Sequence, residues 1–350
     1  METPHIVLDH VPVIDIAAFI EGSPEGQRQV AAQVSAACEQ VGFLVITGHG
    51  VAQATIDTLY DESKAFFALP EEEKLRVEKP AGTNPKGFTP QGKKTVGKDR
   101  DAMLKPSLLE SFAIGPLDVS DDAYYAHPEA GPNYSPNLWP ARPDGLQPAF
   151  IAYYRDMERL ALTILDIFAY ALDVPKSYFH DRVDKHASIL RANFYPAQIA
   201  APKEGEQRAG AHTDATAITI LKVDDAPGGL QVQLPGGQWV GVPKVPGAFI
   251  VNIGDIMMRW TNDRFVSTMH RVVNPPAELA GKADRLSIPY FCIPNYDAVI
   301  ECIPSCAGAG AKYPPVTSGQ LLSTRYRVTF SLKDDAAAEA ASRARQPVAM

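Results

Sequence analysis

The sequence predicts a mixed α and β fold, with a mainly helical first half packed on a β-rich second half that reads as an antiparallel sandwich or jelly roll. Three observations carry this. Residues 25–41, 53–68 and 148–172 place apolar side chains at helical spacing. From about 188 to 332, eight or so short β-rich runs alternate with Gly/Pro turns. The chain has 350 residues, 45% of them hydrophobic, which is enough for one large domain or two modest ones.

Taken in order, VPVIDI (11–16) is a short strand. Val30, Val34, Ala37, Cys38 and Val41 form the apolar stripe of the first helix, and Gly42 ends it. FLVIT (43–47) is a buried strand and GHG (48–50) a turn. A second helix runs from about 53 to 68 and stops at Pro70, and EEEKLRV (71–77) is a short charged helix. Residues 79–147 are rich in Gly, Pro, Asn and Asp, and a segment this long and irregular is usually functional or mobile. The most regular helix follows, with Ile151, Tyr154, Met157, Leu160, Ile164, Leu165 and Phe168 on or near one face, and DVP (173–175) terminates it. The strand-like runs are then ILRANFYP, AITILKV, GLQVQL, QWVGVP, AFIVNIG, HRVVN, RLSIPYFC and RVTFSL. The expected organisation is a helical region over 1–180 with an irregular substrate-side loop, a β core over 181–333 and a tail over 334–350, with the helical part and the core forming one cooperative unit.

A net charge of −8 argues against nucleic acid or an anionic membrane as the main partner. No apolar run approaches a membrane span, and the N-terminus lacks a basic stretch followed by an apolar one. The expected location is the cytoplasm. Cys38, Cys292, Cys302 and Cys306 make no CxxC pair and read as reduced thiols.

The chemistry starts at AHTDATAITIL (211–221), where His212 and Asp214 interrupt an apolar, β-branched run. On a strand, residues i and i+2 share a face. A buried carboxylate is costly without a partner, and a divalent metal is one such partner. His270, in STMHRVVNP, supplies a third ligand from a distant strand. Two histidines and one carboxylate on one face of an octahedron favour non-haem Fe(II); zinc more often takes three ligands plus water for hydrolysis. Arg285 and Ser287 (RLS) also stand at i and i+2, and a guanidinium fork beside a hydroxyl is a carboxylate receptor. Asn193 and Tyr195 (NFYP), on the strand before HTD, add hydrogen bonds to the same acid.

HTD, GGLQV, WVGVP, FIVNIGD, the TND turn, HRV and RLS together resemble the isopenicillin N synthase-like branch of the Fe(II)/2-oxoglutarate oxygenases. VPVIDI, GFLVITGHGV and the FF, LP and EEK pieces of 66–74 are similar to that branch's N-terminal region, so the likeness spans roughly residues 10–332. The resemblance implies a double-stranded β-helix (jelly-roll) core with iron on His212, Asp214 and His270. It implies that 2-oxoglutarate chelates the iron, with its far carboxylate on Arg285 and Ser287, helped by Tyr195 and Asn193. The implied activity is a dioxygenase that uses O2, hydroxylates, desaturates or cyclises a small molecule, and releases succinate and CO2. Members act on amino acids, peptides and secondary metabolites. One departure is PPAELAGKAD (275–284), which lengthens the hairpin between His270 and Arg285. Three other readings remain: a cosubstrate-independent Fe(II) oxidase of the isopenicillin N synthase kind, a zinc hydrolase, and a non-catalytic binding protein on the same fold.

Candidate substrate contacts are Phe88, Lys98, Arg100, Glu110 and Phe112 in or near the irregular segment, with Phe194 and Phe291 on the core. His49 reads as structural, and His5, His10, His127, His180 and His186 as surface or satisfied polar residues. Asp255 reads as a turn cap, and Gly228 and Gly229 as a turn.

Overall fold

The computed structural model describes residues 8–80, 84–92, 109–197, 208–226, 229–275, 278 and 284–325. The N-terminal elements are β1 (Val13–Asp15), α1 (Ala17–Ile20), α2 (Pro24–Gln40), β2 (Phe43–Thr47), α3 (Gln53–Phe67) and α4 (Glu71–Leu75). Ser23 caps α2 by accepting the Gly26 N–H at 3.1 Å, and Pro24 opens the helix where its missing N–H costs nothing. Gly42 ends it with φ +69°, and an added Cβ there would meet the Val266 carbonyl oxygen at 2.1 Å.

The segment expected to be irregular contributes two strands, β3 (Gly87–Thr89) and β4 (Glu110–Ile114). Periodicity missed them because both are short and β4 is buried on both faces. The long helix α5 (Leu146–Ala171) and the single turn α6 (His180–Val183) lead into the core.

The core strands are β5 (Ile189–Tyr195), β6 (Ala209–His212), β7 (Ile218–Val223), β8 (Gly229–Gln233), β9 (Trp239–Gly241), β10 (Phe249–Ile253), β11 (His270–Val273) and β12 (Arg285–Cys292), with the short helix α7 (Asp255–Trp260) after β10. A small hairpin, β13 (Val299–Ile300) and β14 (Val316–Thr317), follows, and residues 318–325 are helical. The expected strand RVTFSL and the tail 334–350 lie outside the described residues.

The strands form two layers. The major sheet runs β1-β2-β10-β7-β12-β5-β4-β3 and the minor sheet β6-β11-β8-β9. Pairing is antiparallel throughout both, except for β1 with β2. One apolar core lies between the major sheet and the helices, with Phe66, Phe112, Phe150, Tyr154 and Phe168 inside it. A second lies between the sheets, where Phe43, Val45 and Ile250 meet Ala209, Leu230, Val232 and Val272. This is the sandwich expected from the strand runs, closed on one side by helices.

Register sets what faces the inside. Arg285 pairs with Tyr195 and Ser287 with Asn193 on β5, while Ser287 pairs with Val223 and Phe291 with Thr219 on β7. On the next strand Asn252 pairs with Thr219 and, on its other side, with Phe43. Alternation therefore puts Arg285, Ser287, Asn193, Tyr195, Thr219, Asn252 and Phe291 on the face turned to the minor sheet.

Candidate active site

His212 is the last residue of β6, and it pairs directly with His270 at the start of β11. The register slips between His270 and Val272, as in a β-bulge, which re-aims side chains locally. The two imidazole centres are 4.2 Å apart. Each ring is fixed through its Nδ1. That of His212 lies 2.7 Å from the Gly210 carbonyl oxygen, and that of His270 lies 3.1 Å from the Thr268 carbonyl oxygen. A carbonyl only accepts, so each Nδ1 carries the proton and each Nε2 presents a lone pair. The edge of Phe43 packs on His270 with ring centres 5.2 Å apart.

Asp214 corrects one expectation. The residues 211–221 are not one strand: β6 ends at His212, and Asp214 lies in the turn before β7. The aspartate is placed by the turn's tether instead of by strand alternation. The Asp255 N–H donates to the Asp214 carbonyl oxygen at 2.8 Å. Gly254 permits that approach, since a Cβ there would sit 2.2 Å from the Thr216 carbonyl oxygen. Asp214 Oδ2 accepts from the Thr219 hydroxyl at 2.6 Å and from Asn252 Nδ2 at 2.9 Å. Its Oδ1 is left facing both Nε2 atoms, at 3.7 Å each. Burial pushes this carboxyl's pKa up, but His270, His212 and the two donors outweigh it, so it is held below the usual carboxylate range. The three ligand atoms lie within 4.8 Å of one another. Two imidazole nitrogens and one carboxylate oxygen converge here, Asp214 and His270 buried and His212 partly exposed, a donor set that fits Fe(II).

Thr219 and Asn252 were not singled out by sequence. The one available signal was Asn252 as a polar residue inside the apolar run FIVNIGD.

Along the inner face, about 13 Å of strand separates Thr219 from Val223, and Arg285 and Ser287 stand at that far end. Arg285 is 3% exposed, and its Nη1 is buried with no hydrogen-bond partner among the described residues; Asn193 Oδ1 is in the same condition. The Arg285 guanidinium lies 5.0 Å from the centre of the Tyr195 ring. A cavity of about 240 Å³ opens here, lined by Arg285, Val223, Asp224, Leu230, Ile250 and Val273 among others.

Of the expected substrate contacts among the described residues, only Phe291 faces this interior. Phe88 and Phe112 are buried in the helix-side core, and Phe194 stacks on Phe67 at 5.1 Å on that same side. Glu110 is engaged by Lys74 Nζ at 2.7 Å. Lys98 and Arg100 lie outside the described residues. Phe291 adjoins a mainly apolar cluster with Ala215, Ile189, Ile293, Tyr296 and Leu322, and Arg191 sits 5.5 Å above its ring.

Asp255 does not cap a turn through its side chain. It braces the metal-side turn, accepting from Ser267 Oγ at 2.7 Å and Thr213 Oγ1 at 3.3 Å, while Arg325 donates to the Thr213 carbonyl at 3.1 Å. His49 is structural as expected, bonded to Gly247 O and Val51 N.

Comparison with known proteins agrees with this geometry. Residues 11–142 match the model of the N-terminal region of non-haem dioxygenases of the morphine-synthesis type, and residues 186–294 match the 2OG-Fe(II) oxygenase superfamily. The 2-oxoglutarate-Fe(II) type oxidoreductase hxnY of Emericella nidulans is 33% identical over 95% of this chain and 94% of its own length. The chain belongs to the 2OG-Fe(II) oxygenase superfamily. Rice gibberellin 20 oxidase 2 is 34% identical over 89% of this chain and 74% of its own. A full-length Neurospora crassa protein, crystallised with alpha-KG and thymine, superposes with a TM-score of 0.80 at 30% identity, covering 93% of this chain and all of that one. As a member of this superfamily, the protein is a non-haem Fe(II) oxidoreductase, a dioxygenase that takes 2-oxoglutarate as cosubstrate. Its jelly-roll fold is that of these relatives. No helix among the described residues is long and apolar enough to cross a membrane.

Proposed function

We propose that His212, Asp214 and His270 hold the iron, and that Arg285, Ser287, Tyr195 and Asn193 hold 2-oxoglutarate by its far carboxylate. The single observation that carries the second half is Arg285: a buried guanidinium whose Nη1 has no partner among the described residues, on the inner face, in register with Tyr195 and two residues from Ser287. A cation buried this way calls for an anion. When bound, Fe(II) and 2-oxoglutarate together use O2 to oxidise a substrate C–H bond, with release of succinate and CO2.

The chain's own part is placement. The backbone carbonyls of Gly210 and Thr268 keep both Nε2 atoms free of protons. Thr219 and Asn252 keep Asp214 ionised and aimed. Arg285 and Ser287 set the depth to which the cosubstrate enters. The layers of Phe43, Val45 and Ile250 exclude water from the space between the sheets. The substrate enters beside Phe291 and the apolar cluster around Ala215 and Leu322, which suits a small molecule with an apolar face. The relatives point to dissimilar small molecules, thymine in the Neurospora crassa structure and a gibberellin in the name of the rice enzyme, so their common ground is the oxidation and not the substrate. We place the reaction in the cytoplasm.

The test is an anaerobic titration of metal-free protein with Fe(II) and then 2-oxoglutarate, followed by visible charge-transfer absorbance. The reading expects a band that saturates at one equivalent and is lost in Arg285→Ala and in His212→Ala. Iron binding without a band, or a band unchanged in Arg285→Ala, would overturn it.

A further inference from the structure

Asp255 bonds to every segment that carries a proposed iron ligand. Its N–H donates to the Asp214 carbonyl oxygen at 2.8 Å. Its Oδ2 accepts from Thr213 Oγ1 at 3.3 Å, and Thr213 stands between His212 and Asp214. Its Oδ1 accepts from Ser267 Oγ at 2.7 Å, three residues before His270. Arg325 fastens the same turn from the other side. Its Nη2 donates to the Thr213 carbonyl oxygen at 3.1 Å, and its Nη1 lies 3.8 Å from Asp255 Oδ2.

Arg325 belongs to the helix over 318–325, and the start of that helix is fastened too. The Ser318 N–H donates to the Ala298 carbonyl at 3.0 Å, and the Gly319 N–H to the Tyr296 carbonyl at 2.7 Å. Glycine suits the second contact, since an added Cβ would sit 3.0 Å from that oxygen and 3.1 Å from the Glu129 carbonyl oxygen. Further along, Leu322 is buried in the apolar cluster against which Phe291 and Ala215 pack. Leu322 and Arg325 are three residues apart, so they share one face of the helix. That face meets the metal-side turn on both flanks of Asp214, through Arg325 at Thr213 and through the Leu322 cluster at Ala215.

We infer that the helix over 318–325 couples the substrate mouth to the metal-side turn, with Arg325 as the positioning residue that joins them. The inference rests on the proposed ligand set and on substrate entry beside Phe291. An arginine fork fits the task, because one guanidinium serves a carbonyl and a carboxylate at once. A packed helix moves as one rigid piece, so a displacement of the Leu322 wall is carried to Thr213 and Asp255, and through them to Asp214. Arg325 touches no reacting atom; it acts through the place it gives the carboxylate.

The experiment measures Fe(II) affinity of the full-length protein by anaerobic competition with a chromophoric chelator, beside urea unfolding of the same proteins without metal. Partners that orient a metal ligand are worth about 10- to 100-fold in affinity, and Arg325 stands one contact further out, so Arg325→Gln is expected to weaken Fe(II) binding by about 10-fold. Arg325→Lys, which keeps a charged donor, is expected to recover part of that loss. Leu322→Ala, a change in the mouth wall alone, is expected to weaken Fe(II) binding in the wild-type background and to do so less in the Arg325→Gln background. Equal effects of Leu322→Ala in the two backgrounds overturn the coupling. If Arg325→Gln does not fold, the cycle is run with Arg325→Lys and read in the same way. A lowered urea midpoint with wild-type Fe(II) affinity in folded Arg325→Gln also overturns the inference, because Arg325 would then only hold the helix; loss of iron in His212→Ala beside it leaves the ligand set standing. Wild-type affinity in His212→Ala as well sinks the ligand set together with the inference.

Discussion

Replacing Thr219 by valine removes one hydroxyl and keeps the shape of the side chain. Valine keeps the branch at Cβ, suits the middle of β7, and fits a site that is already 3% exposed. What is lost is the 2.6 Å bond to Asp214 Oδ2 and a weaker 3.3 Å contact with the Thr216 hydroxyl, leaving the 2.9 Å bond from Asn252 as the remaining side-chain donor to that oxygen among the described residues. A hydrogen bond to a charged group contributes about 1.5–3 kcal/mol. Partners that orient a metal ligand are worth about 10- to 100-fold in metal affinity, a range that agrees with it. Thr219→Val should therefore bind Fe(II) about 10- to 100-fold more weakly, with 2-oxoglutarate affinity at saturating metal nearly unchanged. The assay is anaerobic competition against a chromophoric chelator, with thermal unfolding as a check on the fold. Adding Asn252→Leu should cost more than the sum of the single changes, because both donors serve one oxygen. A folded Thr219→Val protein with wild-type metal affinity would refute the reasoning. So would one that lost cosubstrate affinity while keeping its metal.

Other outcomes follow from the same structure. Lys74→Met strands Glu110, whose carboxyl burial already pushes towards the neutral form, and should cost about 3–5 kcal/mol in urea unfolding, with Lys74→Met/Glu110→Leu recovering most of it. Lys86 is fully buried, bonded to the Asn133 and Ser135 carbonyls, and burial lowers its pKa from 10.5 to about 8. Between those values the unfolded chain holds the proton more tightly, so this residue makes stability rise with pH from about 8 to 10.5, by about 3 kcal/mol in all. Lys86→Met should flatten that rise, as read by urea midpoints at the two ends; an unchanged slope would exclude Lys86 as its source. Gly254→Ala drives a Cβ into the Thr216 carbonyl and should displace the metal-side turn, costing about 1–3 kcal/mol and most of the iron affinity. Normal iron binding in that variant would show that the turn is not what places Asp214.

Much of the site was legible because its residues break local pattern. A histidine and an aspartate in an apolar run, or an arginine in RLSIPYFC, stand out where burial of polar groups is costly. Thr219 and Asn252 did not stand out in the same way. Threonine is an ordinary strand residue, and its role depends on which strands pair and in what register, which a single sequence does not display. The same gap explains the misplaced substrate contacts. Glu110, Phe112 and Phe194 sit on strands whose residues are mostly buried on both faces, so period-two alternation does not say which face meets the helices and which meets the iron side. The helices were read to within a few residues because their stripes are long and regular, as in α5.

The ownership of the three ligand side chains has a mechanical consequence. Both imidazoles ride on the four-stranded sheet, whereas the carboxylate is gripped by two residues of the eight-stranded one. An ion held by all three, as proposed, would work as a rivet through two plates that meet through side chains such as Phe43, Val232 and Val272. On the proposed ligand set, loading the metal would do more than arm a reaction: it would fix the gap between the plates, and with it the width of the slot offered to a 2-oxo acid.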